Sequence, residues 1–174
     1  MNKTLFILSA VLLVLLTGCS SEPKQTVEEK GATYSKAGIR FDCPAEWKIT
    51  EDKQILENEY FAVCEKQGSS ESGLVLVKWT TNSLPAEQML EILKVYYQKT
   101  YAEDHGIEIK FGEIDAKNNR VNYSFKVQDI KHQGYIIAKD CPSASTGLIF
   151  QEANEDHSKN KNAFESIEKS FACN

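Results

Sequence analysis

The run from Leu5 to Leu16, apolar except for Ser9, limits what this 174-residue chain can fold into more than any other stretch. A basic start, Met1-Asn2-Lys3-Thr4, precedes it and the small residues Thr17 and Gly18 close it, as in a secretory signal peptide. A run of twelve is too short to span a bilayer, which takes about 20 apolar residues. Residues 1–18 are therefore read as a leader that takes no part in the folded domain. They hold 12 of the 72 apolar residues; the other 156 positions carry 60 apolar residues, 19 Lys and Arg, 25 Asp and Glu, and a formal charge of −6. That is the size of one domain, typically about 100–200 residues. Only two arginines are present. So acidic a chain does not match the phosphate backbone, whose recognition rests on clustered basic groups, and nucleic acid is excluded as a partner.

Leu16-Thr17-Gly18-Cys19 resembles the lipobox of bacterial lipoproteins. The resemblance implies that Cys19 is acylated and becomes the N-terminus after cleavage. Its diacylglycerol, with a third chain in Gram-negative cells, would supply the two or more acyl chains that stable anchoring takes. It implies a cell-envelope protein held on the membrane through Cys19, with its domain outside the cytoplasm. Ser20, rather than aspartate, after the cysteine resembles outer-membrane sorting in a Gram-negative cell. Residues 20–36 are too polar to bury much surface. With Cys19 they read as an acylated, flexible tether over 19–36, and a single globular domain is expected over 37–174.

With Cys19 assigned to the anchor, Cys43, Cys64, Cys141 and Cys173 remain, an even number in an exported domain. Two disulfides with three possible connectivities follow. The spacings are 21, 77 and 32, and no Cys-x-x-Cys pair occurs, which argues against a thioredoxin-type redox site and a zinc ribbon. The favoured connectivity is Cys43–Cys64 with Cys141–Cys173, which closes the shortest loops, each bond contributing about 3 kcal/mol.

Alternation of apolar and polar residues predicts strands over Gly38–Cys43 and Trp47–Thr50 around Pro44, and a third over Tyr60–Cys64. Leu74–Trp79 is apolar on both faces, as a central strand would be. Asn82-Ser83 can cap a helix with Pro85 in its first turn, and Ala86, Met89, Leu90, Leu93, Tyr96, Tyr97 and Tyr101 recur at helical spacing. Strands are expected over Ile107–Phe111, Arg120–Val127, Gly134–Ala138 and Thr146–Gln151, with a turn at Lys117-Asn118-Asn119 because asparagine tolerates positive φ. Phe164, Ile167 and Phe171 mark a closing helix. Four strands, a helix, four strands and a helix predict an α+β domain, an antiparallel sheet of about 6–8 strands covered by two helices.

Ile39-Arg-Phe-Asp-Cys-Pro-Ala-Glu-Trp47, the helix after Ser83-Leu84-Pro85-Ala86-Glu87, the meander with Tyr135 and Gly147–Phe150, and Phe164-Glu-Ser-Ile-Glu-Lys-Ser-Phe171 together resemble the PsbP/Mog1-like fold over about residues 37–173. The cysteines depart from that pattern. The resemblance implies an α/β sandwich and mostly non-enzymatic roles: photosystem extrinsic subunits, a small-GTPase-binding protein and bacterial lipoproteins. Fold alone does not set function.

Catalysis would need a nucleophile with a base, paired carboxylates or a metal cluster. Gly68-Ser-Ser-Glu-Ser-Gly73 lacks the Gly-x-Ser-x-Gly register and reads as a turn. His105, His132 and His157 each read as a surface loop residue. Glu103-Asp104-His105 and Glu155-Asp156-His157 would bind a divalent cation only if folding joined them, so no metal or cofactor is expected. Trp47 and Trp79 are candidate stacking platforms, although core anchoring explains them more simply. The acidic stretches 51–59 and 152–157 suit either a basic partner or a solvated surface. The expectation is a non-catalytic envelope lipoprotein that binds an envelope protein partner. Its rivals are an immunity or inhibitor lipoprotein against a secreted toxin, and an envelope hydrolase with scattered catalytic residues.

Overall fold

Val75, Val77 and Trp79 are completely buried on one side of their strand, and Leu76 packs into a second cluster on the other. A run apolar on both faces needs cover on both. The computed structural model describes residues 31–67 and 71–173, so the leader, Cys19 and residues 20–30 lie outside the described residues, as do the side chains of Glu103 and Asp104. Its elements are β1 (Ala32–Lys36), β2 (Ile39–Cys43), β3 (Trp47–Leu56), β4 (Glu59–Lys66), β5 (Leu74–Thr80), α1 (Ala86–His105), β6 (Lys110–Asp115), β7 (Arg120–Val127), β8 (Ile130–Cys141), β9 (Ala144–Ala153), a 3-10 turn (Asn154–Asp156), α2 (His157–Ser170) and β10 (Ala172–Cys173).

Seven strands form one antiparallel sheet in the order β3-β4-β5-β9-β8-β7-β6, and β1-β2-β10 form a small second sheet. The long hairpins follow from alternation: Val121, Tyr123 and Phe125 of β7 face the cluster under α1, where Met89, Leu90, Leu93 and Tyr97 meet them. The opposite face of the sheet is covered by α2 and the small sheet, through Phe41, Phe164, Ile167 and Tyr34 packed on Trp79, Leu148 and Phe150. The architecture is the expected α+β sandwich.

Three expectations need correction. Residues 32–36, expected in the tether, form a strand, paired with β2 from Ala32↔Cys43 to Lys36↔Ile39. Tyr34 is what holds it: the ring is 8% exposed and stacks on Phe41 at 5.0 Å. The closing helix stops at Ser170, because Phe171 turns to extended backbone (φ −63°, ψ 124°) and leads into β10. Asn82 and Ser83 do not cap α1; its first N–H, on Ala86, donates to Asp140 Oδ1 on β8 at 2.7 Å, a cap supplied from 54 residues away. The Lys117–Asn119 turn does form, with Asn119 at φ 46° and Asp115 Oδ2 accepting from Asn118 Nδ2 at 2.6 Å.

Gly134 lies on β8 between Tyr123 of β7 and Gln151 of β9. A Cβ there would collide with the Phe150 carbonyl oxygen and lie 2.6 Å from the Tyr123 hydroxyl. That hydroxyl donates to the same carbonyl at 3.0 Å. Backbone cannot yield as a side-chain tip can, so Gly134→Ala is expected to cost about 3 kcal/mol, the upper end of ordinary overpacking. Urea unfolding would measure it, and a loss under about 1 kcal/mol would show the packing around Gly134 to be looser than this geometry.

Candidate functional site

Period-two alternation on β6 to β9 lays one polar row across the sheet. Lys110 is opposite Ser124, Ser124 opposite Gln133, and Gln133 opposite Glu152. Paired residues on neighbouring strands share a face, and this face is the one α2 covers only in part. The result is an open groove of about 540 Å³, walled by the row, by Arg120, Asn122 and Tyr135, and by His157 and Phe164 of α2.

Each wall has a physical origin. Tyr135 lies flat on Phe150 at 4.4 Å and edge-on to Phe164, and the Arg120 guanidinium stands 3.6 Å over its ring. Such a contact orients the cation without neutralising it. Burial pushes the Tyr135 hydroxyl well above the ordinary tyrosine value, Glu168 adds to the shift and Arg120 opposes it, so the phenol stays neutral. Glu152 is 3% exposed. Its Oε1 meets His157 Nδ1 at 2.6 Å and Gln133 Nε2 at 3.3 Å, while its Oε2 is buried with no partner among the described residues. Among those residues neither Lys110 nor Arg120 has a carboxylate in ion-pair range. Among the described residues the groove thus holds two cations beyond ion-pair range of any carboxylate, Arg120 with Asp115 opposite it on β6, and one unmet buried carboxylate oxygen.

α2 is held over the groove by a second set of charges. Asp156, 3% exposed, accepts from the Ser72 N–H at 2.7 Å, the Ser72 hydroxyl at 3.1 Å and Lys159 Nζ at 3.4 Å. Lys159 also reaches Glu71 Oε1 at 2.8 Å, and Glu71 in turn binds Lys66. Burial alone would push the Asp156 carboxyl up. The Ser72 and Lys159 hydrogen bonds outweigh it and hold the group below the ordinary aspartate value of 3.8. A depressed carboxyl stabilises the fold above its unfolded value and loses that contribution as pH falls through the folded one. Asp156→Asn is therefore expected to cost about 1–3 kcal/mol at pH 7. The gap from the parent should narrow below about pH 4, which denaturant unfolding at pH 7 and pH 3 would show.

The residues singled out from the sequence scatter. Cys43 bonds to Cys64 and Cys141 to Cys173, so the four cysteines are structural and lie away from the groove. Trp47 and Trp79 are 4% and 0% exposed and offer no stacking face. Trp47 meets Phe164 edge-on, Gly73 closes over its ring, and Trp79 stacks on Tyr60 at 5.4 Å. Cys19, Gly68, Ser69 and Ser70 lie outside the described residues. His132 and His157 are not loop residues: His132 is on β8, stacked on Phe125 at 4.9 Å with burial lowering its pKa, and His157 opens α2. No three His, Cys, Asp or Glu side chains converge to hold a metal among the described residues. The stretch 51–59 is partly neutralised within the fold, Glu51 by Lys53, Asp52 by Lys36 and Glu59 by Lys78. The stretch 152–157 is no solvated loop, since Glu152 and Asp156 are both buried. Extending the alternation of Leu148 and Phe150 by one step would have turned Glu152 inward. Arg120 carried a weaker signal, as one of two arginines.

No family model matches the chain, and no curated protein does. Among solved structures, the solution structure of cyanobacterial PsbP (CyanoP) from Synechocystis sp. PCC 6803 is similar, with a TM-score of 0.54 over 90% of this chain and 100% of that one, at 14% identity. The fold is PsbP-like. At that identity the PsbP-like likeness reaches the arrangement of strands and helices and leaves the groove side chains to be read on their own chemistry. No helix among the described residues is long and apolar enough to cross a membrane.

Proposed function

We propose that this PsbP-like domain is the binding module of an acyl-anchored cell-envelope protein, held on the membrane through Cys19, and that it contacts its envelope partner through the β6–β9 groove. The observation that carries the reading is the groove itself: Arg120 fixed over Tyr135, Lys110 unpaired, and the unmet Oε2 of Glu152. Concave polar surfaces with a few convergent charged groups are where ligands are oriented. The anchor rests on the resemblance of Leu16–Cys19 to a lipobox.

The test is a photo-crosslinking residue placed at Asn122, in the groove, or at Val95, on the exposed side of α1, in cells expressing the full chain. An adduct from Asn122 and none from Val95 is expected, and Cys19→Ser should release the protein from the membrane fraction. Adducts from Val95 alone would move the contact to α1 and end the groove reading. The hydrolase alternative has one observation in its favour, the 2.6 Å pairing of His157 with buried Glu152. It requires turnover that disappears in His157→Gln.

A further inference from the structure

We propose that the groove takes a short acidic peptide with a free N-terminus, its ammonium on Glu152 and its carboxylates on Arg120 and Lys110. This rests on the groove being the contact surface. Its warrant is charge matching: among the described residues Arg120 and Lys110 have no carboxylate within ion-pair distance, Asp115 lying opposite Arg120 beyond it, and buried Glu152 lacks a donor at Oε2. The complement of that set is one cation and two anions. A peptide of two residues with an acidic second side chain has that inventory, one ammonium and two carboxylates.

The spacing agrees. Tyr135 is opposite Phe150, and Glu152 lies two residues further along β9. Tyr135, which carries the Arg120 guanidinium over its ring, is thus one diagonal step from Glu152, about 7–8 Å between such backbone positions. A dipeptide spans that distance from its ammonium to its terminal carboxylate, whereas one amino acid does not. Lys110 closes the outer end of the row, within reach of a second carboxylate. Asn122 and Ser124 lie between the charged ends and supply hydrogen-bonding side chains for the peptide unit. His157, whose side chain is 61% exposed, holds Glu152 Oε1 at 2.6 Å and leaves Oε2 for the ammonium.

Isothermal titration of the detergent-solubilised mature protein with Ala-Glu, N-acetyl-Ala-Glu, Ala-Gln and glucuronate tests this. Ala-Glu should bind, Ala-Gln should bind about tenfold more weakly, and N-acetyl-Ala-Glu should give no measurable heat. Glu152→Gln and Arg120→Gln should each weaken Ala-Glu about tenfold or more while leaving a cooperative melt, which separates lost contacts from lost fold. Equal binding of the acetylated peptide would overturn the ammonium assignment. Glucuronate bound in preference to Ala-Glu would make the groove a site for acidic sugars and overturn the peptide inference. If no probe binds while Asn122 still crosslinks, the inference fails and the groove reading stands; if the crosslink is absent too, both fail.

Discussion

Removing the Cys141–Cys173 bond as a Cys141→Ala/Cys173→Ala pair should lower stability by about 3–4 kcal/mol, and removing Cys43–Cys64 should do nearly as much. The loop-closure account gives that size for separations of 21 and 32 residues. The placement of the bonds says what is lost. Cys43 ends β2 and Cys64 lies on β4; Cys173 is on β10 and Cys141 ends β8. Both bonds therefore tie the small sheet to the large one. The other links between them are Phe41, Tyr34 and Ile39 in the shared core, and the Asp52 contacts with Lys36 at 2.7 Å and the Tyr34 hydroxyl at 3.1 Å. β10 is the weakest part, since only Ala172↔Arg40 and Cys173↔Ile39 pair it with β2. Loss of either bond should lower the melting temperature by roughly 12 °C, at about 4 °C per kcal/mol for a domain of this size. Melts of oxidised protein with and without reductant provide the check. A drop below about 3 °C would mean the small sheet stays docked by packing alone.

Trp79→Ala should cost about 3–5 kcal/mol, as for other large aromatics removed from a core. Trp79 is completely buried, with Tyr60 stacked on one side and Tyr34 meeting it edge-on at 6.1 Å. Truncation empties the place where β1 rests on the large sheet, so β1 should exchange its amide protons faster than β7 in the variant. Trp79→Phe should be far milder. The indole Nε1 is buried without a hydrogen-bond partner among the described residues. Removing an unmet donor recovers part of its desolvation cost, about 1–3 kcal/mol, and offsets much of the lost volume. Equal losses for the two variants would show that the indole N–H has a partner after all.

Most of this architecture is legible in the sequence, for a physical reason: where one face is buried, alternation records it. Val121, Tyr123, Phe125 and Val127 set β7, and Leu74–Trp79 announces cover on both sides. The parts that escaped are those stabilised from far away. β1 has Tyr34 as its one large apolar side chain, and what makes it a strand is Phe41 and Trp79. β10 is two residues long and exists through its pairing with β2. The groove escaped for the same reason. Lys110, Ser124, Gln133 and Glu152 are separated in the chain and become one row only when four strands take their register. Tyr97 and Tyr101 read correctly as packing, whereas Tyr96 is 46% exposed with Lys78 over its ring, and helical spacing could not show that Tyr97 and Tyr101 both turn their hydroxyls to Gln151 while Tyr123 reaches the Phe150 carbonyl. Burial leads the causes that push Tyr97 and Tyr123 above the ordinary tyrosine value, which keeps this cluster uncharged.

The bond from β2 to β4 also decides how the domain answers a pull on the chain ahead of Ala32. Load entering there peels β1 from β2 one pair at a time, from Ala32↔Cys43 toward Lys36↔Ile39. It then runs along β2 and meets Cys43, where the covalent path passes into Cys64 on the second strand of the seven-stranded sheet. At that point tension crosses through sulfur into β4, which is held by its ladders to β3 and β5. The extensible slack is then a dozen residues, Ala32 to Cys43.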